Sequence, residues 1–532
     1  MMLASAWTVV LQGSLGHLVE VQVDISPGVV GATIVGRPDA SLLEARDRVR
    51  MAITHSAAPW PSTRRVTILL TPADLPKRGT HFDLAIALGI KAADGTLPAG
   101  CLADTLVIGE LTLAGGLRPV PGVLPMVMAG AAQGMRRAFV PEPQAREAAM
   151  VPGVEVYGVR SLAQVIAQLC GEEVPVAEAV PDSAGTSLLR WRGEDRVDDV
   201  DLADLVGMAD ERYALEVAAA GGHHLMLSGP KGSGKTSLAE RVPTILPDLS
   251  REEALELTAV LSLAGQSAVT GLVVRPPFRN PHHDISKSSL LGGGTGRVRP
   301  GELSRAHCGV LFLDEFPLFR ADVIEALRQP MESGEIRVSR GEESAVYPAR
   351  GMVVLASNPC PCGDFHPTAK KNYCTCGEVA RREYRRRMTG PIADRIDVVR
   401  HVLGPGRGDA LPAERGGAEQ GRESSAAVRA RVTAARERQA ARYAGEGWRL
   451  NGQVPGHVLR ARWPLPAKVE AKLDEEVFSG RLSRRGATRV HRLAWTVADL
   501  AGAEAPGMAA FETALRLRTG EPLTLTPLGR VG

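Results

Sequence analysis

Short runs rich in β-branched apolar residues (18–25, 65–70 and 105–108) alternate with stretches of helical spacing such as 40–55. That alternation predicts an α/β or α+β unit over residues 1–175. Further along, wholly apolar runs at 224–227, 309–313 and 352–356 read as buried strands of a second α/β unit, 199–402. Residues 426–518 carry a helical pattern. Between these units, 176–198 turns polar and irregular. Residues 403–425 are Gly-, Ala-, Glu- and Arg-rich, so both segments read as linkers. Residues 519–532 read as a loose tail.

The length of 532 residues exceeds one ordinary core and fits two to four domains. With 44% apolar and 23% charged residues the composition is that of a soluble globular protein. Eighteen consecutive apolar residues occur nowhere, which excludes a membrane helix. The opening run 1–16 is apolar, yet no Lys or Arg precedes Arg37. A signal peptide needs a basic start, so a cytoplasmic location is expected. The net charge of +3 is too balanced to argue for nucleic-acid binding by itself. Seven cysteines make no disulfide scaffold, but four fall between 360 and 376 and mark a local site.

The strongest chemical signal is Gly229, Pro230, Lys231, Gly232, Ser233, Gly234, Lys235 and Thr236, followed by Ser237. It fits the G-x-x-x-x-G-K-[ST] phosphate loop, placed as it must be between a buried strand and a helical stretch. The glycines let backbone N–H groups surround phosphate oxygens. Lys235 reaches the β- and γ-phosphates of ATP, and Thr236 ligates Mg²⁺. Next, Gly309-Val-Leu-Phe-Leu ends in Asp314 and Glu315. Asp314 suits Mg²⁺ through its water shell, and Glu315 suits polarising the attacking water. Asn358, after the third buried run, can orient that water. Arg395 follows the Gly390-Pro break; in a ring such an arginine reaches the next subunit's γ-phosphate. A surface ion pair with Asp397 is the competing reading.

Together with Arg279-Asn-Pro-His-His283, Leu290-Leu-Gly-Gly-Gly294, Gly301-Glu-Leu-Ser304 and Asn358-Pro-Cys-Pro-Cys-Gly363, these motifs resemble the magnesium-chelatase-like AAA+ ATPases, and among them the YifB/ComM group. The resemblance runs from about residue 5 to 518. It implies a Lon-protease-like (ribosomal S5 domain 2-like) N-terminal domain, an AAA+ P-loop NTPase core and a C-terminal helical lid. It also implies a homo-oligomeric ring of hexameric type. By the same match Asn358 is sensor 1, Arg395 the arginine finger and Arg485 sensor 2, with Arg489 the runner-up. Lys231 stands where relatives usually carry Pro. In the N-terminal domain the positions of the Lon nucleophile and lysine hold His81 and Leu124, so no Ser/Lys dyad is expected, nor one shifted onto Thr80 and Lys77.

Cys360, Cys362, Cys374 and Cys376 form two C-x-C pairs, a donor set for structural Zn²⁺; reduced thiols packed in a loop, or a redox pair, are the alternatives. Five arginines between Arg381 and Arg387 surround Tyr384, a combination able to grip phosphates and stack on a base, though such runs are more often solvated faces. Residues 335–349 read as a β-hairpin. It resembles the pre-sensor hairpin of related helicases, and Arg340, with Arg337 beside it, is the expected DNA contact. His282 and His283 lack a third ligand at helical spacing and are read as structural or pore residues. The function expected is ATP-driven DNA translocation or remodelling, of helicase or branch-migration type. A chelatase-like remodeller of proteins is the second reading.

Overall fold

The computed structural model describes the chain except for residues 1, 57, 182–199, 206, 266–270, 295–297, 341–342, 366–372, 389, 391, 403–422 and 524–532. Most of both expected linkers and of the expected tail therefore lies outside the described residues.

The apolar opening run forms the centre of a seven-stranded sheet. β1 (Met2–Gln12) turns at Gly13 and pairs antiparallel with β2 (Leu15–Ser26). In β2 the alternation puts Val19, Val21, Val23 and Ile25 in the core and the intervening polar residues outside. β3 (Gly31–Val35), β4 (Arg65–Thr71), β5 (Thr105–Val107), β6 (Arg137–Pro141) and β7 (Glu155–Val159) complete the order β3-β4-β2-β1-β5-β6-β7. α1 (Ala40–His55) buries Leu42, Ala45, Val49, Ala52 and Ile53, a stripe at helical spacing, and Asp39 caps it by accepting from the Leu42 N–H. This helix and α2 (Asp83–Ala93) cover one face of the sheet. α3 (Val123–Ala132) covers the other, where Val9 and Leu11 point.

The second unit follows α4 (Ala209–Gly221). Its elements are β8 (Leu225–Ser228), α5 (Lys235–Glu240), α6 (Arg251–Leu263), β9 (Phe278–Arg279), β10 (Val310–Leu313), the hairpin β11 (Glu335–Arg340) and β12 (Glu343–Pro348), β13 (Met352–Ser357), α7 (Glu378–Met388) and β14 (Val398–His401). Five of the strands form one parallel sheet in the order β9-β10-β13-β8-β14. β8, β10 and β13 are buried along their whole length, which is why each reads as a continuous apolar run rather than an alternating one. Because the strands are parallel, their C-terminal ends share one edge, where ligands of such sheets bind.

The helices α8 (Ser425–Arg442), α9 (Ala467–Phe478), α10 (Arg484–Leu500) and α11 (Met508–Thr519), with a two-turn helix Gly456–Arg462 between α8 and α9, follow. They share a core with the parallel sheet: Val428, Val432, Val490, Leu493 and Phe511 pack with Ala218, Leu225, Leu227 and Val398. A second core joins the N-terminal sheet to the second unit through Val9, Leu11 and Val127 against Ala259, Leu263, Ala345 and Tyr347. There the Ser14 N–H also donates to the Val346 carbonyl at 3.1 Å. Among the described residues no helix is long and apolar enough to cross a membrane.

Candidate active site

β8 ends at Ser228 and the phosphate-loop sequence follows at once, tied to β13 by the Gly229 N–H donating to the Ser357 carbonyl at 3.1 Å. Two glycines are required by geometry. A Cβ on Gly229 would lie 2.0 Å from the Val402 carbonyl oxygen, and Gly234 sits at φ +91°, the left-handed region. The chain then enters α5 at Lys235. The buried Lys235 Nζ donates to the carbonyls of Gly229 and Pro230, both at 2.8 Å, and to Asn358 Oδ1 at 3.2 Å. Burial pulls the Lys235 ammonium below the usual lysine range, against the opposing pull of the Asp314 and Glu315 carboxylates.

Thr236 Oγ1 lies 3.0 Å from Asp314 Oδ2. These two oxygen donors would hold a Mg²⁺, Thr236 directly and Asp314 through its water shell. Asp314 also accepts from the Glu315 N–H at 2.9 Å, and Glu315 itself has φ +49°, a left-handed backbone on a non-glycine residue. Such strain persists only where the surroundings enforce it. The amide of Asn358 is fixed from both ends: its Nδ2 donates to Glu315 Oε1 at 3.1 Å while its Oδ1 accepts from Lys235. The sheet thus brings Lys235, Thr236, Asp314, Glu315 and Asn358 to one edge. Ser237 lies one residue beyond, partly buried on α5, and Lys231 is exposed at the loop's tip.

The expected arginines lie at the opposite edge. Arg395 ends a 3-10 turn just before β14, and its side chain is 7% exposed. Its Nη2 is 2.9 Å from Glu332 Oε1, and its Nε donates to the Arg328 carbonyl at 3.0 Å. The alternative pairing with Asp397 is not formed. Asp397 instead accepts from Arg489, which also binds the Asp394 carbonyl. Burial pushes the Asp397 carboxyl up, but Arg489, His223 and His224 outweigh it and hold it well below the usual range. Arg485 is exposed in the first turn of α10 and lines a cleft with His224, Glu332, Arg489 and Arg492. From His224 to Ser228, four residues of strand span about 13 Å, longer than an arginine side chain. The end of β8 beside which Arg395 sits is therefore about 13 Å from the phosphate loop of the same chain.

Several expectations are corrected. Tyr384 cannot stack on a base: it is buried on the inner face of α7 beside Asn358, and burial, with Glu315 nearby, raises its phenol to about 12. The signal was in the sequence, since Tyr384 and Met388, four apart, are the inward stripe of an otherwise basic helix. Of its arginines, Arg381 and Arg385 lie over the Phe365 ring at 4.6 and 5.3 Å, and Arg387 donates to the Pro317 carbonyl. His282, His283 and Asp284 each bring one polar atom within 4.8 Å of the others at an exposed turn. Glu332, the partner of Arg395, carried no motif at all.

The hairpin is present, and Arg337 pairs with Glu335 at 3.9 Å. Arg340 ends β11, and its side chain lies outside the described part of the chain, as do His366 and Pro367 of the cysteine loop. In the N-terminal unit His81 is buried with its Nε2 2.8 Å from the Val9 carbonyl, and Leu124 is buried in α3. Lys77 donates to the Pro72 carbonyl and Thr80 to Glu110, so none of these four residues sets an amine against a hydroxyl. Cys360, Cys362, Cys374 and Cys376 form no disulfide with one another, and their sulfurs lie within 4.8 Å of each other.

Three family models match the chain: "Subunit ChlI of Mg-chelatase" over residues 21–144, "Magnesium chelatase, subunit ChlI" over 201–406 and "Magnesium chelatase, subunit ChlI C-terminal" over 422–518. An uncharacterized protein of Mycobacterium tuberculosis is 43% identical over 526 residues, 97% of this chain and 99% of that protein. YifB of Escherichia coli is 39% identical over 482 residues, 91% of this chain and 90% of its own. Competence protein ComM of Haemophilus influenzae is 38% identical over 505 residues, 94% of each. With a parallel sheet that gathers a phosphate loop, a strand-end Asp–Glu pair and a strand-end Asn on one edge, and with relatives this similar over nearly their whole length, the chain belongs to the YifB/ComM family of magnesium-chelatase-like AAA+ proteins.

Proposed function

We propose that this chain is a Mg²⁺-dependent ATPase that works as a homo-oligomeric ring of hexameric type, with each ATP held at the seam between two protomers. The observation that carries this reading is the division of the residues between two edges. Lys235, Thr236, Asp314, Glu315 and Asn358 share one edge of the sheet, and Arg395 and Arg485 share the other. A neighbour in a ring supplies what one chain lacks.

Thr236 and Asp314 hold the Mg²⁺, which when bound neutralises phosphate charge. Lys235 exchanges its two carbonyl partners for β- and γ-phosphate oxygens. Glu315 orients and polarises the attacking water, and Asn358 keeps Glu315 and Lys235 in register. The neighbour's Arg395 exchanges Glu332 for the γ-phosphate, with Arg485 beside it. The helices from Ser425 to Thr519 act as the lid of the motor. The N-terminal unit, up to residue 175, is a Lon-like scaffold without peptidase chemistry.

The work done is DNA translocation or remodelling in the cytoplasm. A relative named as a competence protein and a hairpin bearing Arg337 and Arg340 support this. Phosphate release measured with single-stranded, duplex and branched DNA tests it. Turnover rises with at least one form, the rise fades steeply with salt, and replacing Arg337 and Arg340 with Ala removes it while leaving basal turnover. Turnover unchanged by every form at low salt would transfer the reading to a chelatase-like remodeller of proteins, which the three magnesium-chelatase matches favour. The four cysteines suit a structural Zn²⁺.

A further inference from the structure

The chain leaves the catalytic edge through Asn358 and, two residues later, buries Cys360 completely. The Cys360 sulfur lies 3.3 Å from that of Cys362 and 3.6 Å from that of Cys374, and the last two are 3.6 Å apart. Four sulfurs around tetrahedral Zn²⁺, with bonds of about 2.3 Å, stand about 3.8 Å from one another, so one ion fits among them. Reduced thiols by themselves are weak donors and weak acceptors, and contribute little towards holding two C-x-C segments together.

From this cluster, three paths lead back to the nucleotide site. A Cβ at Gly363 would start 3.1 Å from Lys231 Cγ, so the knuckle lies against the tip of the phosphate loop. The Phe365 N–H donates to the Cys360 sulfur at 3.3 Å, and the Phe365 ring carries Arg381 and Arg385 of α7. That helix begins at Glu378, two residues after Cys376, and delivers Tyr384 to the backbone of Asn358. Cysteines, helix, tyrosine and asparagine thus form a closed loop of contacts.

We propose that a thiophilic divalent cation of the Zn²⁺ class, bound by Cys360, Cys362, Cys374 and Cys376, sets the position of Asn358 and of the phosphate-loop tip, so that ATP turnover depends on a second metal besides Mg²⁺. This rests on the ATPase reading above. The cysteines are positioning residues: they act through Asn358 and touch no reacting atom. Metal loss therefore impairs turnover more than nucleotide binding, which the loop backbone and Lys235 carry.

The test uses the full chain. Metal analysis gives about one equivalent per chain, and Cys376→Ser, the ligand farthest along the chain from Asn358, loses it. In that variant ATP affinity stays within about three-fold while turnover falls about ten-fold or more. Should Cys376→Ser fail to fold, the wild-type chain loaded with Co²⁺ gives the same answer. Its tetrahedral thiolate ligand-field bands shift when Mg²⁺ and a non-hydrolysable ATP analogue are added, and the shift is lost in Asn358→Ala. A metal-free chain with full turnover, or cobalt bands indifferent to saturating nucleotide, overturns the proposal. Failure of the ATPase reading looks different: a metal-loaded wild-type chain that releases no phosphate, in which the cobalt bands still decide the coupling.

Discussion

Lys235→Ala and Arg395→Ala each remove one half of the proposed seam site, and mixing the two variants asks whether the halves come from different chains. The magnitude follows from the geometry. Lys235 stands at the C-terminal edge of the parallel sheet and Arg395 at the N-terminal edge, separated by a strand of about 13 Å. On the proposed seam, a working site needs Lys235 from one protomer and Arg395 from the next. In an equal mixture a given seam has a one-half chance of an intact Lys235 on its first side and a one-half chance of an intact Arg395 on its second. About a quarter of the seams are then complete, whatever the ring size, and independent sites give about a quarter of wild-type turnover. Each variant alone releases almost no phosphate, although Arg395→Ala still binds nucleotide. The assay is steady-state phosphate release after the two proteins are mixed under conditions that let rings exchange subunits. A mixture no more active than its parents, with exchange verified by labelled subunits, would refute the division of the site between chains.

Other consequences follow from single contacts. Asn358→Ala breaks the bridge between Lys235 and Glu315 and lowers turnover about 10²-fold with little change in nucleotide affinity, a contrast read from phosphate release beside a binding titration. Tyr384→Ala costs about 3–5 kcal/mol of stability in denaturant unfolding, because a buried ring is lost; a tyrosine serving only to stack on DNA would leave stability unchanged. His224 and His491 are both held neutral by burial, each down to about 4 from 6.5. For groups lowered in the folded state the stability is complete above pH 6.5 and drains away as pH falls towards 4. The loss is up to about 3 kcal/mol for each histidine. Asp397 stays ionised through that window. Unfolding midpoints measured between pH 7 and 4 check this, and a flat profile contradicts the neutral-histidine assignment.

The parts of the fold that were legible were those in which one local rule governs. Residues 40–55 carry a stripe at helical spacing, and the helix forms with those bounds. The buried runs became strands of the parallel sheet shifted by a residue or so, because apolar continuity marks burial and not the first hydrogen-bonded pair. The phosphate loop and the Asp314–Glu315 pair could be found because their chemistry fixes residue type and spacing together. What was hidden depends on long-range placement. Glu332 meets Arg395 only after the chain between them has crossed the sheet, and Arg489 takes Asp397 from a helix nearly a hundred residues away. The basic neighbours of Tyr384 allow a nucleic-acid face, while its spacing to Met388 points it inwards.

The central claim is that the catalytic site is completed by a neighbouring protomer, and phosphate release per chain measured across a dilution series with ATP and Mg²⁺ tests it most directly. Turnover per chain should fall as the protein is diluted through the range where sedimentation reports loss of the ring, and Lys235→Ala should show none at any concentration. Turnover per chain that stays constant down to concentrations where the protein sediments as a monomer would contradict the account.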